Sequence, residues 1–474
     1  MLAELREECA VMSVMGVPDA AELTYLGLYA LQHRGQESSG IVSFAGGRPY
    51  VHKAMGLVAD IFDEETLSRL PGVCAVGHNR YSTTGSSNLV NAQPILVNLK
   101  GGSLAISHNG NLVNARELRD ELEKAGAIFQ STVDSEVVVH LIARSKKSTL
   151  DERVAESLRR LRGAYSLLLL SADALYAARD PHGFRPLCLG RQPEGPGWFV
   201  ASETCALDIV GAEVVREIRP GELLKITREG IVSLEAGGDQ PEHACVFELI
   251  YFARPDSRVF GMIADDARRR FGRELAREHP IAADCVFSVP DSSNSAALGY
   301  AEESGIPFEL GLIRNHYVGR TFIQPTQAIR DFGVKVKYNP VKSVIRDKRV
   351  VVVDDSIVRG TTSKALVQVI RDAGAREVHL RVSSPPLRHP CYYGVDIPTR
   401  EDLIAANMSI PDLRDYLKVD SLGYLSEAGM YRALDGERRF CDACFTGRYP
   451  VQVEGDMDDK LVFERTCGGP GATQ

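Results

Sequence analysis

No apolar run in this 474-residue sequence approaches the roughly 18 residues that a membrane-crossing helix requires. Its opening octapeptide, MLAELREE, is too short and too polar for a secretory signal, which needs an apolar stretch of about 7–15 residues. Nothing here argues for a membrane or for secretion, and a cytoplasmic location is the expectation. Positive charge is scarce too. Lys and Arg number 55 against 63 Asp and Glu, a formal charge of -8, so no electrostatic footprint for nucleic acid or anionic lipid exists. Any cationic site must be local. The ten cysteines are scattered along a long chain, unlike the dense framework of a disulfide-stapled domain. Such thiols are buried, catalytic or metal-bound. No internal repeat is visible.

The composition that remains, 44% hydrophobic and 25% charged, is that of a globular protein, and the length calls for two domains or more. Residues 9–236 read as many short strands with few helices. GIVSF, PYVHKAMG, CAVGHNRYS, SLAISHNG and YSLLLLS are apolar or β-branched runs bounded by Gly, Asn and Ser. ARELRDELEKAGA and DSEVVVHLIARS have helical periodicity. This pattern implies an α+β, layered domain. LEAGGDQPEH, residues 234–243, reads as a linker. Residues 237–474 change character: DCVFSVP, PFELGLI, RVVVVDD and EVHLRVSS alternate with helical stretches, the mark of an α/β domain with a parallel sheet. Helical segments and a Gly-rich tail, CGGPGATQ, close the chain.

The most informative segment is RVVVVDDSIVRGTTSKALVQVI, residues 349–370. Four valines make a strand buried on both faces, and Asp354 and Asp355 stand at its carboxyl end, where open α/β sheets bind ligands. The small residues of SIVRGTTS, with Gly360, let backbone N–H groups approach a phosphate at the start of a helix. The Gly-x4-Gly-Lys pattern of nucleoside-triphosphate loops is missing. Two acids before a phosphate cradle suit a substrate with a phosphate and vicinal hydroxyls, held directly or through Mg²⁺. The plainer alternative is a capped helix after a buried strand. VPDSSNSAALGYA (289–301) repeats the strand, small polar residues and helix, and suits a pyrophosphate or its Mg²⁺. RNHYVGRTFIQPTQAIRDFGVKVK (314–337) is basic and suits a loop that folds over pyrophosphate, or a solvated surface loop.

Residues 349–362 resemble the signature of the type I phosphoribosyltransferases. That resemblance implies phosphoribosyl pyrophosphate binding by Asp354, Asp355, Ser356, Val358, Arg359, Gly360, Thr361, Thr362 and Arg320, and Mg²⁺ binding by Ser292, Asp354 and Asp355. In the first half, Cys9 is followed in order by LQHRGQESSGI (31–41), GHNRYSTTG (77–85), HNGNL (108–112) and DSE (134–136). Together these resemble the glutaminase domain of the N-terminal-nucleophile amidotransferases, a layered αββα fold. The two halves combined resemble the amidophosphoribosyltransferase family, from about Cys9 to about Cys444. The implied reaction hydrolyses glutamine and passes its ammonia to C1 of phosphoribosyl pyrophosphate, giving 5-phosphoribosylamine in the first committed step of purine synthesis. The implied partners are those two substrates and feedback-inhibiting purine nucleotides, in a homotetramer.

Amide hydrolysis needs a nucleophile, a proton acceptor, an oxyanion site and a grip on the amino-acid end. Removal of the leader, residues 1–8, would make Cys9 the first residue and free its α-amine as the base. Asn109 and Gly110 are the oxyanion candidates, Arg80 suits the glutamine carboxylate and Asp134 its ammonium. Each has a plainer alternative: an Asn-Gly hairpin turn, a surface ion pair and a helix cap. Their joint occurrence in family order favours the catalytic roles.

Cys441 and Cys444 form C-x2-C, by itself equally a zinc, redox or idle pair. One branch of the family carries a 4Fe–4S cluster, and the resemblance adds Cys245 and Cys391 as ligands. Cys74, Cys188, Cys205 and Cys285 read as buried filler, and Cys467 has no assigned role. Two rival functions are a phosphoribosyl-pyrophosphate sensor, disfavoured by the acidic charge and the glutaminase set, and a sugar-phosphate amidotransferase, which should lack VVVVDDSIVRGTTS.

Overall fold

The computed structural model describes residues 9–81, 87–238, 240–315, 337–397 and 399–453. The octapeptide, Arg320 and Cys467 lie outside them. The first half is built on two antiparallel sheets. One has seven strands, with Ala10–Met15 at its centre between Cys74–Arg80 and Trp198–Ala201. The other has six, with Gly102–Leu112 and Gly163–Leu170 paired in its middle.

Ala10–Met15 is buried at every position, so both its faces meet apolar side chains. Val11, Met15, Val42 and Val76 point into the layer shared with Leu168, Leu170 and Leu224 of the other sheet. Met12 and Val14 point outward to the helix Ala20–Ala30. The helix Ala115–Lys124 buries Ala115, Leu118, Arg119 and Leu122, one stripe at helical spacing, and covers the outer face of the six-stranded sheet. Helix, sheet, sheet, helix is the layered αββα arrangement that the strand-rich pattern implied.

In the second half Cys285–Ser288, Arg349–Asp354, Glu377–Val382 and Ser421–Tyr424 form a four-stranded parallel sheet. Separate apolar clusters cover its two faces, which is why its strands read as near-continuous valine and leucine runs. PFELGLI does not form a full sheet strand. It makes one parallel bridge, Phe308 to Val286, and its end, Leu312–Arg314, turns to pair antiparallel with Tyr338–Pro340. The linker is also shorter than LEAGGDQPEH suggests: Ile231–Glu235 is an edge strand on Glu222–Ile226, and Ala236 is buried. No helix among the described residues is long and apolar enough to cross a membrane.

Candidate active sites

The strand register places Cys9 at the end of the central strand. Ala10 stands opposite Asn79, so Cys9 lies beside Arg80. Its Sγ donates to the Tyr81 carbonyl at 3.2 Å, and the Tyr81 N–H lies 3.5 Å from the sulfur. Burial pushes the thiol up to about 11, against the Tyr81 bond and the charge of Arg80. Among the described residues, the main charges acting on it besides Arg80 are Glu37 and Asp134, which raise it.

Two of the plainer alternatives for its companions do not match the geometry. Arg80 is no surface residue: it is 2% exposed and 3.6 Å from Glu37. Asn109 and Gly110 are not a hairpin turn but consecutive residues inside the strand Gly102–Leu112, opposite Ser166 and Tyr165. Gly110 has φ +142°, and a Cβ there would meet the Ala164 carbonyl oxygen at 2.1 Å, so only glycine fits. The Asn109 amide Nδ2 is buried and has no hydrogen-bond partner among the described residues, a rare state for a buried donor. Asp134 accepts from the Leu112 N–H at 2.9 Å and lies 3.4 Å from His108 Nδ1. Burial pushes its carboxyl up, and His108 with the Leu112 and Ser135 N–H groups overcomes this, leaving it below the usual carboxylate range. It is an anion in the interior.

A second pocket opens where the parallel strands end. Asp354, Asp355, Ser356, Val358, Gly360 and Thr362 line it, facing Ser292. Gly360, at φ +73°, caps the helix Thr361–Asp372 and turns that helix's N-terminus toward the cavity. Thr362 Oγ1 is buried and unpartnered, a second orphan aimed at a ligand. The two acids differ. Asp355 accepts from Ser292 at 2.5 Å, from Ser356 at 2.6 Å and from Ser293 at 3.4 Å, and burial raises it. Asp354 is half-buried and accepts the Asp355 N–H. Arg359 and Thr361 are not among the lining side chains, and Arg359 pairs with Asp402 at 2.6 Å. His33 reaches this pocket from the first domain, while its Nε2 meets Glu203 at 2.8 Å. Neither His33 nor Glu37 was singled out from sequence, although both sit inside LQHRGQESSGI.

Four thiols converge elsewhere. Cys245, Cys391, Cys441 and Cys444 line one small apolar cavity with Phe184, Phe247, Tyr393 and Tyr449. Cys245 and Cys441 are partners in a two-strand parallel pair, joining the segment after the linker to the carboxyl-terminal part. Among the described residues no three His, Cys, Asp or Glu side chains are close enough together to hold a single metal ion. Cys74, Cys188, Cys205 and Cys285 are buried in apolar packing.

One chain thus joins a layered glutaminase, with a buried cysteine at the end of its central strand, to an α/β domain whose parallel sheet ends at two acids and a glycine-capped helix: a glutamine amidotransferase that transfers ammonia. A family profile described as a glutamine amidotransferase domain matches residues 78–208. Amidophosphoribosyltransferase from Bacillus subtilis is 48% identical over 96% of this chain and 97% of its own length. The chloroplastic amidophosphoribosyltransferase of Vigna aconitifolia is 51% identical over 95% of this chain and 92% of its own. The solved structure of the Bacillus subtilis glutamine phosphoribosylpyrophosphate amidotransferase, complexed with ADP and GMP, superposes with a TM-score of 0.90 at 47% identity, covering 94% of this chain and 98% of that one. The chain belongs to the amidophosphoribosyltransferase family, glutamine-dependent enzymes of purine biosynthesis.

Proposed function

We propose that residues 9–236 hydrolyse glutamine at Cys9 and that residues 237–474 use the ammonia to displace pyrophosphate from phosphoribosyl pyrophosphate. The observation that carries the second half of this division is the pocket lined by Asp354, Asp355 and Thr362, whose Oγ1 has no partner among the described residues; in the first half the buried Asn109 Nδ2 likewise has none among them. In the first site Arg80 binds the glutamine carboxylate and Asp134 its ammonium. Removal of residues 1–8 gives Cys9 an α-amine, whose unperturbed pKa of about 7.7–8.0 lets it take the thiol proton. The sulfur attacks the amide carbon, and Asn109 Nδ2 and the Gly110 N–H hold the oxyanion. The C–N bond breaks as the α-ammonium returns its proton to the leaving nitrogen. Water then cleaves the thioester to glutamate.

In the second site Ser356, Val358, Gly360 and Thr362, which line the pocket, hold the 5′-phosphate with Thr361 and Arg359 flanking them, and Asp354 and Asp355 hold the ribose hydroxyls. Arg320, outside the described residues, covers the pyrophosphate. Ser292, Asp354 and Asp355 are the residues that would hold Mg²⁺, which would supply charge neutralisation for the leaving pyrophosphate. Ammonia forms the C1–N bond as the C1–O bond to pyrophosphate breaks, and the new ammonium loses one proton to give 5-phosphoribosylamine. Cys245, Cys391, Cys441 and Cys444 fit a 4Fe–4S cluster, because thiols spread around a shared apolar cavity suit a group larger than one ion. That cluster would tie the carboxyl-terminal segment to the linker region. Purine nucleotides are the proposed feedback inhibitors, and the enzyme a cytoplasmic homotetramer. The ADP and GMP of the Bacillus subtilis complex support the regulatory part.

Two variants test the division. Cys9→Ala should lose glutamine-dependent synthesis and keep synthesis from free ammonia. Asp354→Asn with Asp355→Asn should lose both syntheses but keep basal glutaminase. Glutamine-dependent synthesis by Cys9→Ala would overturn the assignment. Mass spectrometry of active enzyme should find Cys9 as its first residue, and an active glutamine-using protein still carrying Met1 to Glu8 would refute the leader.

A further inference from the structure

The strand that carries Asn109 and Gly110 is not held by its own domain alone. A loop of the second domain, residues 391–394, lies against it. The Cβ position of Gly394 is 2.9 Å from the Gly110 carbonyl carbon and 3.1 Å from its Cα, so the two glycines stand backbone to backbone. Asn111 Nδ2 donates to the Tyr392 carbonyl at 2.9 Å. The next carbonyl, Tyr393, accepts from Arg185 Nε at 3.1 Å, and Arg185 Nη1 lies 3.6 Å from Glu248. Both of those side chains are fully buried.

We infer that the 391–394 loop is a positioning element for glutamine hydrolysis: it packs against the Gly110 Cα and carbonyl carbon and so restricts rotation at that residue, which sets the direction of its N–H relative to Asn109 Nδ2. Gly110 has no side chain to anchor it, and its φ of +142° is open to glycine only. Glycine loses more backbone freedom on ordering than any other residue, so a glycine in a catalytic strand needs external packing to hold one conformation. The Ala164 carbonyl supplies it on one side and Gly394 on the other. Gly394 has φ +103°, so a side chain is disfavoured there by conformation as well as by space. The loop's contacts, Gly394 on Gly110 and the Tyr392 carbonyl on Asn111, fall on the strand that carries the oxyanion candidates, so its expected effect is on oxyanion geometry. This inference rests on the oxyanion role proposed for Asn109 and Gly110.

The test compares three variants of the full-length enzyme. Gly394→Ala should lower glutaminase kcat about tenfold or more, since displacing a catalytic group by around 1 Å costs up to about a hundredfold. KM for glutamine and the rate of synthesis from free ammonia should stay within about twofold of the parent, the pattern of an interaction made only in the transition state. Asn111→Ala, which removes the bond to the Tyr392 carbonyl and adds no bulk, should show the same pattern with a drop of about two- to tenfold. Asn109→Ala is the control. If it keeps the parent's glutaminase kcat, the oxyanion reading itself fails. If it loses kcat while Gly394→Ala and Asn111→Ala keep theirs, the loop has no positioning role. A parallel fall in ammonia-dependent synthesis, or a rise in KM at unchanged kcat, also overturns the inference, because it marks general damage or lost substrate grip.

Discussion

Asn109→Ala separates catalytic from structural use of a buried residue, because the two uses predict opposite outcomes. Asn109 is 1% exposed and its Nδ2 has no partner. An unsatisfied buried donor costs about 1–3 kcal/mol of native stability. Truncating a small polar side chain sacrifices packing of similar size, so the two changes offset. The denaturation midpoint should move by no more than about 3 °C, the equivalent of roughly 1 kcal/mol for a domain of this size. The same substitution removes one oxyanion donor, a change worth about 2.7–4 kcal/mol, so glutaminase kcat should fall by about 10²–10³. Steady-state glutaminase assays, synthesis from free ammonia and thermal denaturation measure the three quantities on one preparation. A glutaminase kcat within threefold of the parent, on the same order as the scatter between such variants, would refute the catalytic use. A large loss of stability with activity tracking the folded fraction would show that Asn109 is structural.

Thr362→Val keeps the shape at the start of its helix and removes an unpartnered hydroxyl. KM for phosphoribosyl pyrophosphate should rise about tenfold, as for a lost bond to a charged oxygen of about 1.5 kcal/mol, with stability unchanged or improved; an unchanged KM refutes the contact. Burial, aided by the charge of Arg80, lowers His78 to about 3 against the bond it makes to the His108 carbonyl at 2.9 Å. The unfolded chain therefore takes up this proton first as pH falls below about 6.5, and native stability should drop by about 1.4 kcal/mol per pH unit down to about 3. His78→Gln should flatten that limb of a stability–pH curve, and an unaltered slope sinks the assignment. Anaerobically purified protein should contain about four iron and four sulfide per chain, and Cys441→Ser should lose both and unfold more readily, since metal binding free energy is also folding free energy; stoichiometric zinc would refute the cluster.

Residue order alone determined much of this protein. The four valines of Arg349–Asp354 read as a strand covered on both faces, and it is one; the acids with Gly360 after it read as a ligand-binding sheet end more readily than as a plain capped helix. The layered first domain followed from short bounded strands, and Cys9 stood out because polar residues precede it and an apolar strand follows. Tertiary structure decided everything that depends on partners distant in sequence. Asn109-Gly110 reads locally as a turn, and became strand because Ser166 and Tyr165 pair with it. PFELGLI reads as a strand, and made a single bridge because Leu312–Arg314 turns aside to pair with Tyr338–Pro340. No spacing rule brings Cys245, Cys391 and the C-x2-C pair to one cavity, or sets His33 at the rim of a pocket in the other domain. Periodicity and local propensity act over a few residues and are written in the sequence. Burial, orphaned donors and the contact of Gly394 with Gly110 arise from packing across hundreds of residues, and only the folded chain contains them.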